Sequence, residues 1–196
     1  MRRTKEETAE TKERILKSAA AEFRQRGFEN VSVNDVMSAA GLTHGGFYRH
    51  FESKDQLISE ACDMALVLLN EGLEKHLRKN PGQSKLKALL ERYLSVSHRD
   101  NPAAGCTIAA LGSELARADL QARKAATHGY RGLVNLIAGT LPGPQKEAKK
   151  QASAIASALV GAVTLSRIVD DRRVADEILD NTLRFLLDQR ERQKSK

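Results

Sequence analysis

From Ser84 onward apolar residues recur three and four apart, with none of the period-two alternation of a half-buried strand, and the chain before it reads as helical too. Ile15, Leu16, Ala19, Ala20 and Phe23 form one stripe, which predicts a helix from about Thr8 to Arg26 that Gly27 stops. Ser32 stands as an N-cap with Asp35 three residues on, and Val33, Val36, Met37 and Ala40 share one face of a short second helix. Gly41 follows the last apolar position, where a left-handed residue usually ends a helix, so the chain turns and starts again at Thr43. Phe47 and Phe51, four apart, anchor this brief third helix on a core and leave Thr43, His44, Gly45, Tyr48, Arg49 and His50 for its outer faces. Ser53 opens a capping box with Gln56, so the next helix starts at about Lys54 with its amide end exposed, where a phosphate can sit.

That helix carries Leu57, Ile58, Ala61, Met64, Ala65, Leu68, Leu69 and Leu73 before the breaker Asn80-Pro81-Gly82, which makes it long enough to link one domain to another. Leu86, Leu89, Leu90, Tyr93 and Leu94 mark the next element, interrupted at Asn101-Pro102 and Gly105. A short helix is predicted from about Cys106 to Ala116. Asp119 caps another that runs to Gly139, and the Pro-Gly-Pro at 142–144 forces a loop. Two final helices span about Lys146–Val169 and Val174–Gln189, and the basic tail to Lys196 is expected to fray. The pattern predicts an all-α protein of about nine helices, with an N-terminal three-helix domain over residues 1–53 and a C-terminal helical domain over 54–196.

The stretch from Phe28 to Leu57 thus reads as a helix-turn-helix for duplex DNA. Its residues resemble the N-terminal domain of the TetR/AcrR family of transcriptional regulators. Phe23, Gly27 and Phe28 close the first helix, a Val-x-x-Val runs into Ala-Gly-Leu, and Gly-x-Phe-Tyr-x-His-Phe-x-x-Lys runs from Gly45 to Lys54. The likeness covers roughly the first sixty residues. It implies a regulator, most commonly a repressor, that binds a palindromic operator as a two-fold homodimer and releases it when a small-molecule effector occupies the C-terminal domain.

The net charge of +7 changes this picture less than it first suggests. Residues 1–60 hold ten basic and ten acidic side chains, so the DNA-reading part is formally neutral and the surplus lies behind it. Affinity then has to come from placed contacts rather than from a broad basic field. Arg2, Arg3 and Lys5 are the obvious local cluster, either a solvated tail or a minor-groove or phosphate contact. In the motif, His44 and Arg49 are the side chains best able to read base edges, with Arg49 suited to guanine. Thr43, Tyr48, His50 and Lys54 suit phosphates, Asn34 suits either phosphate or base, and Ser32 stands at the same edge. The resemblance places the tyrosine, the histidine and the lysine on the backbone. Gly45 and Gly46 depart from the single glycine common in the family and remove any base contact from a side chain at 46.

Behind the motif, Met64, Leu68, Tyr93, Ser97, His98, Cys106, Ile108, Leu111, Tyr130 and Thr164 are candidate lining for an effector pocket, each also readable as ordinary core. With so few aromatic residues there, a modest apolar ligand fits better than a planar cationic one. Ala154, Ala158, Gly161, Ala162 and Leu165, with Ile178, Leu179, Leu183 and Leu186 on the last helix, suggest a close-packed helix pair that a second subunit covers. Cys106, after Gly105 at a predicted helix start, permits an oxidant or electrophile sensor as an alternative to a small buried hydrophobe. A helical dimer that binds protein or ligand without DNA recognition is the other alternative.

An enzyme is not indicated. There is no phosphate-cradling glycine loop, nucleophile elbow or metal-ligand spacing, and His98 and His128 are isolated; no metal or cofactor is expected. Two cysteines suit a reducing compartment. The absence of an uninterrupted run of about eighteen apolar residues and of an apolar leader leads to a cytoplasmic expectation, with no membrane partner.

Overall fold

The structure, a computed structural model, describes the backbone of residues 5–194 and side chains as far as residue 189. Arg2 and Arg3 of the basic cluster lie outside the described residues. Among those described there are nine α-helices, two short 3-10 segments and no strand. The helices are α1 (Lys5–Arg26), α2 (Val33–Ala39), α3 (Lys54–Lys79), α4 (Lys85–Tyr93), α5 (Val96–Asp100), α6 (Thr107–Arg117), α7 (Leu120–Ala138), α8 (Gln145–Ile168) and α9 (Arg172–Lys194). The 3-10 segments are His44–Arg49 and Pro102–Ala104.

The chain divides into two compact units. The first is Met1–Val67 with Pro102–His128, and the second is Leu68–Asn101 with Gly129–Lys196.

In the first unit the core is built from Ile15, Phe23, Val31, Val36, Met37, Phe47, Phe51, Leu57 and Ala61, joined by Leu111 and Leu115 of α6 and by Ala122 and Ala125 of α7. The Phe23 and Phe28 rings meet edge to face at 5.4 Å, and Phe47 stacks on Phe51 at 5.5 Å. Arg24 of α1 donates from Nε to the carbonyls of Pro102 and Ala103, at 3.1 and 2.9 Å, and from Nη2 to Ala103 again. The first unit is therefore larger than the N-terminal three-helix domain of the sequence pattern. Periodicity shows which face of α6 is apolar, not which partner it covers.

In the second unit α8 packs along α9. Tyr130 of α7 and Ser153 of α8 share a hydrogen bond of 2.7 Å. Arg99 is buried and pairs with Asp100 at 2.7 Å and with Asp176 of α9. Arg167 of α8 donates to the carbonyls of Arg99 and His98, at 3.0 and 2.8 Å. These bonds fix α5, a helix the sequence pattern does not distinguish. Ser95 caps it by accepting the His98 amide at 3.2 Å. Burial holds the His98 imidazole below its ordinary pKa, and its Nδ1 donates to the Tyr93 carbonyl at 2.6 Å.

Two helix ends differ from expectation. α1 already runs at Lys5, and α9 continues to Lys194 instead of ending near Gln189. Neither stretch contains a glycine or proline to break the helix, and Arg, Gln, Lys and Glu are good helix formers.

Candidate nucleic-acid interface

The turn that positions the interface is set by two cap structures. At the start of α2 the Asp35 amide donates to Ser32 Oγ at 3.1 Å, while the Ser32 amide and hydroxyl both donate to Asp35 Oδ2, at 2.7 and 2.6 Å. These hydrogen bonds, first among them the one from the Ser32 side chain, hold the Asp35 carboxyl below the usual carboxylate range. A depressed pKa means that the cap's contribution is present above the unfolded value and is lost as pH falls through the folded one. At the far end Gly41 has φ +68°, its amide donates to the Ser38 carbonyl at 2.9 Å, and Leu42 donates to Met37 at 2.8 Å. This pair is a Schellman motif, and it needs a residue that accepts left-handed backbone.

The element that follows is a correction to the sequence reading. His44–Arg49 is a 3-10 helix rather than a short α-helix, introduced by Thr43 without a side-chain capping bond. Two adjacent glycines near its start weaken helix propensity, and a run this short has little cooperativity to recover it. Phe47 is buried within the segment, whereas Thr43, His44, Gly45, Tyr48 and Arg49 are exposed and His50 is half-buried. Tyr48 is 70% exposed, with its ring edge-on to His44 at 6.4 Å and to Phe47 at 5.2 Å. Asn34 is exposed on α2.

Two of the expected contacts are already engaged within the unit. The Ser32 hydroxyl serves the α2 cap. Lys54 Nζ donates to the Phe28 carbonyl at 2.6 Å, which leaves two of its three donor hydrogens for a phosphate. Ser53 accepts the Gln56 amide at 3.1 Å, and the Gln56 side chain accepts the Glu52 amide at 2.7 Å, one residue earlier than the expected box.

The glycine pair is not demanded by packing. An added Cβ at Gly45 meets nothing within 4 Å, one at Gly46 meets only Met37 Cε at 3.5 Å, and neither has left-handed backbone. Gly45→Ala is therefore expected to stabilise the free protein by about 0.5–1 kcal/mol and to weaken operator binding at least severalfold. Thermal melts beside a DNA titration check it; higher stability with unchanged affinity would set aside a close approach of this backbone to DNA.

The expected effector lining is split by the two units. Met64, Cys106, Ile108 and Leu111 belong to the first, with Leu111 in its core; Leu68, Tyr93, Ser97, His98, Tyr130 and Thr164 belong to the second. None of these six lines the cavity of about 720 Å³ within the second unit, which is bounded by Asn70, Leu77, Arg78, Lys85, Asn135 and Leu136, among others. Two stretches far apart in the chain, 70–85 and 132–140, build that cavity, so no local pattern announces it. Asn70 Oδ1 is buried there without a hydrogen-bond partner, while its Nδ2 donates to the Gly129 carbonyl at 3.2 Å.

Both thiols are closed off. Cys106 is 1% exposed at the start of α6 and Cys62 is 2% exposed, its pKa pushed up to about 12 by burial. Native protein treated briefly with iodoacetamide is expected to gain no label by intact mass, and unfolded protein to gain two. Rapid labelling of native Cys106 would revive the sensor reading.

On the second unit, Leu165 (53%), Ile168 (69%) and Phe185 (60%) stand exposed on α8 and α9. Ala154 is exposed, and Ala158, Gly161, Ile178, Leu183 and Leu186 are half-buried on the same two helices. Ala162 and Leu179, expected at the same surface, are buried within the chain. α8 is the only helix among the described residues long and apolar enough by composition to suit a bilayer, and a third of that stretch is buried.

Comparison with known proteins agrees with this geometry. Residues 15–61 match a family described as bacterial regulatory proteins, tetR family, and residues 82–180 match one described as transcriptional regulator LmrA/YxaF-like, C-terminal domain. The chain is 36% identical over 95 residues to the HTH-type transcriptional regulator AcrR of Shigella flexneri, covering 47% of this chain and 44% of that one. It is 32% identical over 93 residues to the probable acrEF/envCD operon repressor of Escherichia coli K12, covering 47% and 42%. These alignments span less than half the length of the curated relatives. Among solved structures, reduced E. coli NemR superposes with a TM-score of 0.75 at 20% identity over 90% of this chain and 95% of that one. AibR, in complex with isovaleryl coenzyme A and operator DNA, does so with a TM-score of 0.62 at 19% identity over 88% and 96%. At these identities the structures speak for the fold.

Proposed function

The chain belongs to the tetR family of bacterial regulatory proteins, DNA-binding transcription regulators rather than enzymes, and on that premise we propose that it is a ligand-responsive repressor. It binds a palindromic operator as a two-fold homodimer in the cytoplasm, with residues 1–53 reading DNA and 54–196 supplying the dimer and effector sites. The observation that carries this reading is the rigidly capped turn that displays His44, Tyr48 and Arg49 outward over a buried Phe47. In a two-fold dimer the two 3-10 segments enter successive major grooves about 34 Å apart. Arg49 then addresses a guanine edge, while Thr43, Tyr48, His50 and the remaining hydrogens of Lys54 hold phosphates.

Release follows when a small molecule favours a state in which the two reading segments no longer match the operator spacing. The cavity of about 720 Å³ in the second unit supports an effector of moderate size, and its mixed lining of Leu77 and Leu136 with Asn70, Asn135 and Lys85 suits an apolar body carrying a polar group.

Selection of bound fragments from genomic DNA, followed by gel shift, tests the reading. The expected result is a palindromic site bound by the dimer. On that site Lys54→Ala weakens all sequence variants alike, whereas Arg49→Ala relaxes discrimination at one base pair. A folded dimer that shifts no fragment at low salt would overturn the repressor.

A further inference from the structure

Besides the apolar contacts of Leu111 and Leu115, α6 reaches the start of the helix-turn-helix through a hydrogen bond to one backbone amide. The residue before it, Gly27, has φ +84°, and its own amide closes α1 on the Phe23 carbonyl at 2.8 Å. That left-handed step turns the next amide, Phe28 N–H, away from α1. The Glu114 carboxylate of α6 accepts it at 2.6 Å. The fit is close on both sides, for a Cβ at Gly27 would come within 2.9 Å of Glu114 Oε1.

The other polar group of Phe28, its carbonyl, accepts Lys54 Nζ. One peptide group on each side of Phe28 is thus tied to a different helix, α6 and the start of α3. Ser32, which caps α2, follows four residues later. α6 is also held at its other end, where Arg24 Nη1 lies 3.4 Å from Thr107 Oγ1, and between the two ties its backbone leaves helical geometry at Leu111 (φ −126°, ψ 16°).

We propose that Glu114 is a positioning residue for DNA recognition: by holding Phe28 N–H it fixes the α1–α2 turn, and with it the placement of α2 and the reading segment. A bond between a carboxylate and a partly buried amide is among the stronger hydrogen bonds of a protein, and removing the acceptor leaves the amide unmet. Glu114 touches no DNA. Its effect is on specific recognition, which depends on placement, rather than on general attraction to phosphate, which depends on charge.

The proposal rests on the DNA-binding reading, and its test is arranged to separate the two. Glu114→Ala and Glu114→Gln are compared with wild type for affinity to the selected operator and to non-specific duplex, together with amide hydrogen exchange at Phe28. Expected are a protected Phe28 amide in wild type, a loss of tenfold or more in operator affinity with unchanged non-specific binding in Glu114→Ala (about 1.4 kcal/mol per tenfold), and rescue by Glu114→Gln, which keeps an acceptor oxygen. An unprotected Phe28 amide in the wild-type protein overturns the proposal without reference to any variant. So does Glu114→Ala with full operator affinity, and so does an equal loss on operator and non-specific DNA in folded protein. If wild type binds no DNA at all, the repressor reading fails while Phe28 exchange still reports whether the clamp exists.

Discussion

Phe47→Ala is expected to destabilise the first unit by about 3–5 kcal/mol, while Tyr48→Ala, one residue on, leaves stability almost unchanged and weakens operator binding at least tenfold. Phe47 is 1% exposed and stacks on Phe51, whose ring also carries Lys12 Nζ 5.1 Å from its centre. Truncation at Phe47 leaves a cavity between α2 and the reading segment, and a short 3-10 helix cannot collapse into it and still present Arg49. DNA binding is lost with the fold. Tyr48 is 70% exposed and touches mainly the rings of His44 and Phe47 at their edges, so little apolar area returns to water when it goes. What goes is an exposed hydroxyl that, in the proposed complex, meets a phosphate. Urea unfolding followed by operator titration distinguishes the two. Equal destabilisation by both changes would mean that Tyr48 is a packing residue, and full affinity in Tyr48→Ala would remove it from the interface.

That contrast was legible in the sequence, because the caps and the aromatic spacing are local. Ser32 with Asp35, Gly41 and the Phe47/Phe51 pair act within a few residues of one another, and periodicity assigned their faces before any fold was known. The conformation between them was less legible. Two glycines and six residues sit near the balance between α and 3-10 geometry, where propensity alone does not choose.

Groups joined across long separations were not legible at all. Glu114 and Phe28 are 86 residues apart, Arg24 and Pro102 are 78 apart, and nothing in either segment marks its partner. The same blindness affected Lys54, whose ammonium meets a carbonyl as well as any phosphate. It also affected Ala162 and Leu179, since small and apolar residues look alike whether a helix from the same chain or from a second copy covers them.

The last expectation concerns that second copy. If the proposed dimer forms through this face, Leu165→Glu combined with Phe185→Glu is expected to turn it into a folded monomer and to lower operator affinity by about 10²–10⁴. Both side chains are more than half exposed, at 53% and 60%, and Ile168, three residues beyond Leu165 on α8, is 69% exposed, so charges there cost the isolated chain little. In a two-fold interface each change appears twice, because the same patch meets itself. Four carboxylates then face one another across an apolar surface, which opposes association through both desolvation and like-charge repulsion. The loss in DNA binding follows from geometry, since each reading segment alone must find its half-site without the effective concentration its partner supplies. Sedimentation of the variant, melts and gel shifts on whole and half operators check the chain of reasoning at each link. Ala162→Glu serves as the opposite control, because that residue is buried inside the chain and a charge there should unfold the second unit. A double variant that remains dimeric at wild-type concentration would place the subunit contact elsewhere on the molecule, and a monomer with undiminished operator affinity would break the link between symmetry and recognition.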